Sequence, residues 1–131
     1  MDYDFLNKLN KPSFQPPAIV FKIVWLILYI LMFVSFYMFL SAESNNYKTI
    51  GFWVFIIQLA LNFMWSPIFF YYKKILLAFW ISILLTLTVG YMGICFYQIS
   101  PVSGLLNIPY FLWLIFADIL NYKLWLMNKN I

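Results

Sequence analysis

The chain has no arginine, no histidine and a single cysteine, and charged residues make up only 9% of its 131 positions. Each shortage excludes something. A soluble domain normally carries about a quarter of its residues as charges, so a soluble globular reading fails on composition. Without imidazole, haem ligation and zinc chemistry through histidine are excluded. Cys95 alone cannot close an intrachain disulfide and reads as a small packing residue in an apolar run. The net charge of +4 is not a nucleic-acid footprint, because the lysines sit at the ends of apolar runs and not along one face. No cleavable signal peptide is expected: the first seventeen residues hold Asp2, Asp4, Asn7, Asn10 and three prolines, without an apolar core.

What is plentiful is apolar, with 66% of residues hydrophobic and 24% aromatic. Four long runs stand out, at about 18–40, 50–70, 75–98 and 105–126. Each meets the roughly 20 residues that a helix needs to cross a bilayer. The runs are continuous and do not alternate every second residue, which argues against barrel strands. The expected fold is all-α: one polytopic domain over 1–131, a bundle of four transmembrane helices. SAESNNYKT, YYKK and ISPVSG read as the loops between them.

Four crossings place Lys8, Lys11, Lys73, Lys74, Lys123 and Lys129 on one side and leave Lys48 on the other. The positive-inside rule then puts both termini in the cytoplasm of an integral membrane protein. Trp53, Trp80, Trp125, Tyr47, Tyr71, Tyr72 and Tyr122 fall near span ends, as interfacial anchors do. Trp25, Trp65 and Trp113 lie deeper, where an indole N–H still needs a partner.

Polar residues inside the spans form stripes. Gln58, Asn62 and Ser66 are spaced four apart, with Pro67 next to open the helix. Tyr110, Trp113, Ala117 and Asn121 share a face of the last span, and Trp25 and Tyr29 share a face of the first. Such groups facing lipid would be left unpaired, so they face protein or a cavity. Periodicity leaves two readings open: interhelical hydrogen bonding, or a pocket walled by indoles and amides. Ser82, Thr86, Gly90 and Gly93 form a small-residue stripe, fit for close packing within the subunit or for a dimer seam.

The blocks KPSFQPP, VWLILY, QLALNFMWSPIFF and PYFLWLIFADILN, in this order, resemble the TspO/MBR family of tryptophan-rich sensory proteins and mitochondrial translocator proteins. The resemblance covers Lys11 to Asn121. It implies a small helical membrane protein, often a homodimer, of a bacterial plasma membrane. It also implies a pocket for a protoporphyrin-like tetrapyrrole or another flat hydrophobic ligand, in the cytoplasmic half, capped by the Lys11–Pro17 loop, with no cofactor required. The matching pocket positions are Trp25, Tyr29, Gln58, Asn62, Trp65, Tyr110, Trp113, Phe116 and Ala117. The implied role is sensor or carrier. Light-dependent porphyrin degradation through Trp25 and Trp113 is one alternative, and a small transporter or assembly subunit is another. The chain lacks the ordinary acid–base candidates of an enzyme inside its spans.

Two departures stand against the resemblance. Most family members have five spans, and the match begins at the first loop, so the usual first helix is expected to be missing: either four helices suffice, or a neighbour supplies the fifth surface, or the true start lies upstream of Met1. Lys22 and Asp118 also occupy positions where the family favours small or hydroxyl residues. Their depths are similar and isolated charges are costly there, so an ion pair bridging the first and last spans is expected.

Overall fold

The structure is a computed structural model that describes residues 8–43 and 46–128. Asp2, Asp4 and Lys129 lie outside the described residues. Four helices among the described residues are long and apolar enough to cross a membrane. Helix α1 runs Ala18–Ser41, α2 runs Asn46–Ser66 and continues as a π-helical turn over Pro67–Tyr71, and α3 runs Ile75–Ile99. A short α4, Pro101–Leu105, precedes α5, Ile108–Met127. At 1.5 Å per residue, the shortest of the four spans covers about the 30 Å of a hydrocarbon core.

Two segments expected to be loops are partly helical. Asn46 to Thr49 already belong to α2. Lys48 Nζ donates to the carbonyl of Leu40 at 2.7 Å and caps the end of α1. Pro101–Leu105 is helical because its polar residues act as helix-start signals. Ser100 is the N-cap and accepts from the Ser103 N–H, and Pro101 stands where a missing N–H does no harm.

The π turn has a local cause. Pro67 brings no N–H and its ring crowds the preceding turn, so the helix widens and Tyr72 N–H reaches back five residues to the Pro67 carbonyl at 2.9 Å. Lys73, at φ 57°, then ends the helix in the left-handed region, and Lys74 N–H closes on the Ile68 carbonyl at 3.0 Å.

Helix α3 is central and packs against both α2 and α5. Its small-residue stripe is used within the chain: Ser82 and Thr86 bond to Asp118 of α5, a Cβ on Gly90 would stand 3.1 Å from the Phe111 ring, and Gly93 faces Asn107. Helix α1 is held through side chains more than by close backbone approach. At one end Ser35 and Ser103 exchange hydroxyl-to-carbonyl bonds of 2.8 and 2.7 Å, and Asn107 Nδ2 donates to Ser35 Oγ at 2.9 Å. At the same end Phe36 stacks on Phe55 at 3.8 Å and Phe39 on Phe96 at 4.1 Å.

The outer faces are apolar. Ile19, Ile23, Leu26, Ile30, Phe33 and Tyr37 follow helical spacing along α1 and are all exposed. In water such a face would drive aggregation; in lipid it is the surface a spanning helix presents.

Candidate functional site

The polar stripes meet inside the bundle. Tyr29 of α1 donates to Asn62 Oδ1 of α2, and Asn62 Nδ2 donates to Tyr110 Oη of α5 at 2.7 Å. Tyr110 in turn donates to Gln58 Oε1 at 2.9 Å. The chain ends where Gln58 Nε2 contacts Met32 Sδ at 3.5 Å. Three helices are thus tied through two amides and two phenols, with Tyr110 and Gln58 fully buried. Each member satisfies a group that would otherwise be orphaned in an apolar interior.

Beside this hydrogen-bonded row, toward the end that carries Leu9, Leu124 and the YYKK turn, lies a cavity of about 170 Å³. Its wall is aromatic, with Trp25, Tyr29, Trp65 and Phe69, and its polar groups include Asn62, Asn121 and Gln15. Trp65 Nε1 donates to Asn121 Oδ1 at 3.0 Å, and Asn121 Nδ2 donates to the Ile75 carbonyl at 3.1 Å, so that side is fixed by α5 and α3.

The segment before α1 borders the cavity. Leu9 is buried among Phe21, Leu120 and Leu124. Asn128, at the end of α5, clasps this strap: its Oδ1 accepts from Asn10 N–H at 3.0 Å and its Nδ2 donates to the Asn10 carbonyl at 2.8 Å. Gln15 then reaches the wall.

The residues named from sequence divide into groups. Trp25, Tyr29, Asn62, Trp65 and Ala117 line the cavity. Gln58 and Tyr110 lie one turn deeper, in the hydrogen-bond chain. Trp113 stands behind Trp25, edge-on at 6.4 Å, and packs on Phe21 at 5.6 Å and Phe116 at 5.3 Å. Its Nε1 is buried without a partner among the described residues, as is Gln15 Oε1. Periodicity missed Phe69 and Phe70, which belong to the π turn, and Phe21, and it read Ser82 as part of a packing stripe and not as cavity wall.

Lys22 and Asp118, the two residues expected to pair, sit in different settings. Asp118 is buried, and its carboxylate accepts from Ser82 Oγ and, at 2.6 Å, from Thr86 Oγ1, both on α3. Lys22 is exposed on α1. Similar depth brought the two charges into register, but the face of α5 that carries Asp118 turns to the central helix.

The fold and site define a polytopic helical membrane protein with an internal cavity walled by rings and amides. Residues 2–126 match the TspO/MBR family, and the chain belongs to that family of membrane sensory and translocator proteins. It is 33% identical over 125 residues to Protein CrtK of Rhodobacter capsulatus, across 95% of this chain and 78% of that one. It is 31% identical over 127 residues to the tryptophan-rich sensory protein of Cereibacter sphaeroides, across 97% and 78%. With the translocator protein of Sus scrofa it shares 34% identity over 128 residues, across 93% and 73%.

Proposed function

We propose that the protein is a membrane receptor or carrier for flat hydrophobic ligands of the tetrapyrrole class, held in the cavity under the strap. The observation that carries this reading is an aromatic wall of Trp25, Tyr29 and Trp65 set beside a few fixed amides. Ring faces stack on a planar macrocycle, and a few convergent polar groups are what orient a small molecule. Gln15 Oε1, at the cavity wall and without a partner among the described residues, is a polar atom that a ligand would complete.

At about 170 Å³ the cavity is near the ~150 Å³ that holds one benzene ring. In this reading a macrocycle makes room by displacing the strap beside Gln15. The described cavity wall, of rings and amides, suits holding a ligand more than ordinary acid–base turnover. In this reading the lysine-rich end faces the cytoplasm of a bacterial plasma membrane, and two copies form a homodimer.

The test is a protoporphyrin titration of protein in nanodiscs, first dark and then illuminated, followed by tryptophan fluorescence. Saturable quenching that is lost in a Trp25→Phe, Trp65→Phe variant is expected. Equal quenching in that variant and the parent contradicts the site. Light-dependent appearance of a new product would move the reading to the degrading enzyme.

A further inference from the structure

The cavity wall and the buried carboxylate meet at one residue. Ser82 lines the cavity and donates its hydroxyl to Asp118 Oδ1. Asp118 itself stands one hydroxyl behind the wall, 7% exposed. Its partners among the described residues are the hydroxyls of Ser82 and Thr86, which are dipoles and carry no counter-charge. A carboxylate in a lipid-spanning bundle calls for a cation or a proton. Among the described residues that line the cavity none is charged, so a counter-charge from that side would be borne by what occupies it.

Two further features of the wall point the same way. Gln15 Oε1 is a buried acceptor with no donor among the described residues, so it lacks an N–H or O–H from a ligand. The wall also presents the rings of Trp25, Tyr29, Trp65 and Phe69, whose negative faces attract a cation. The space of about 170 Å³ suits one ring or a fused pair.

We propose that the cavity takes a small aromatic amine, one or two fused rings bearing a protonated amino group, with the ammonium directed at the Ser82–Asp118 pair and an N–H given to Gln15 Oε1. This rests on the cavity being a ligand site, as in the proposed function, and it names a second ligand class for the same site. It also gives Asp118 a role in charge selection: an anionic group of the same size is repelled.

The experiment uses three probes with one ring system and three charges: tryptamine, indole and indole-3-acetate. Each is titrated calorimetrically into the protein in zwitterionic nanodiscs, with empty discs subtracted. Tryptamine is expected to bind about tenfold tighter than indole, and indole-3-acetate weakest. In Asp118→Asn the amine's advantage over indole should fall to about threefold or less. Gln15→Leu should weaken tryptamine and indole by a similar factor.

Equal or tighter binding of indole-3-acetate overturns the inference, as does an amine advantage that survives in Asp118→Asn. If Asp118→Asn does not fold, the charge order in the parent protein decides alone. Protoporphyrin is titrated in parallel. Failure of porphyrin with the charge order intact removes porphyrin and leaves the amine; binding of porphyrin with none of the indoles overturns the amine alone.

Discussion

At the scale of single residues, Tyr110 has the largest local consequence. Its hydroxyl accepts from Asn62 and donates to Gln58, so one oxygen serves two buried amides. Tyr110→Phe keeps the ring and leaves both amides short of a partner. A loss of about 1–2 kcal/mol is expected from a thermal or denaturant melt in detergent. Tyr29→Phe removes only the outer end of the same chain, from a half-buried residue, and should cost less. The sequence showed these residues as stripes because hydrogen-bonding side chains at helical spacing inside an apolar run must turn inward. It did not show which of two inward uses each would have. Gln58 and Tyr110 became interhelical bonds while Asn62 both bonds and lines the cavity, a difference of one turn that periodicity does not resolve. Asp118 shows another limit. Depth can be counted along a chain, but the direction a face takes depends on which helices are neighbours.

Among the elements, the irregular ones were hardest to foresee. Pro67 was legible as a weak point in α2, but its outcome was a widened turn that continues the helix and delivers Phe69 and Phe70 to the cavity side. ISPVSG looked like a loop because Ser, Pro and Gly favour turns, yet the same residues start α4 and let it pack. Gly104 marks the closest approach there: a Cβ would lie 2.6 Å from Tyr97 Cβ and 2.7 Å from the Tyr97 backbone. Gly104→Ala should destabilise by about 1–3 kcal/mol through overpacking. Gly93 is the control, since a Cβ there meets nothing nearer than 3.9 Å. Gly93→Ala in mid-helix should be neutral or stabilising by up to about 1 kcal/mol, from helix propensity. Melts of the two variants should therefore move in different directions, and a common shift would contradict the packing of α4 on α3.

Over the whole molecule, four spans were legible from length and hydropathy, and their ends shifted by a few residues where capping groups extended the helices. The strap was less legible, because the contact that fixes it joins Asn10 to Asn128 across nearly the full chain. Asn128→Ala removes both strap bonds and the bond to the Leu124 carbonyl. Amide exchange in residues 9–17 should rise about tenfold while the deep spans stay protected. Unchanged exchange would show that Leu9 packing alone holds the strap.

The most direct measurement is the quenching of single tryptophans by brominated lipids. The six tryptophans are kept one at a time, with the others changed to Phe, in vesicles carrying bromine along the acyl chain. Trp53 and Trp80 are 57% and 60% exposed on the outer faces. They should be quenched strongly, while Trp25, Trp65 and Trp113 stay protected by the helices around them. Quenching of Trp25 and Trp113 as strong as that of Trp80 would place the indoles against lipid and contradict an internal site.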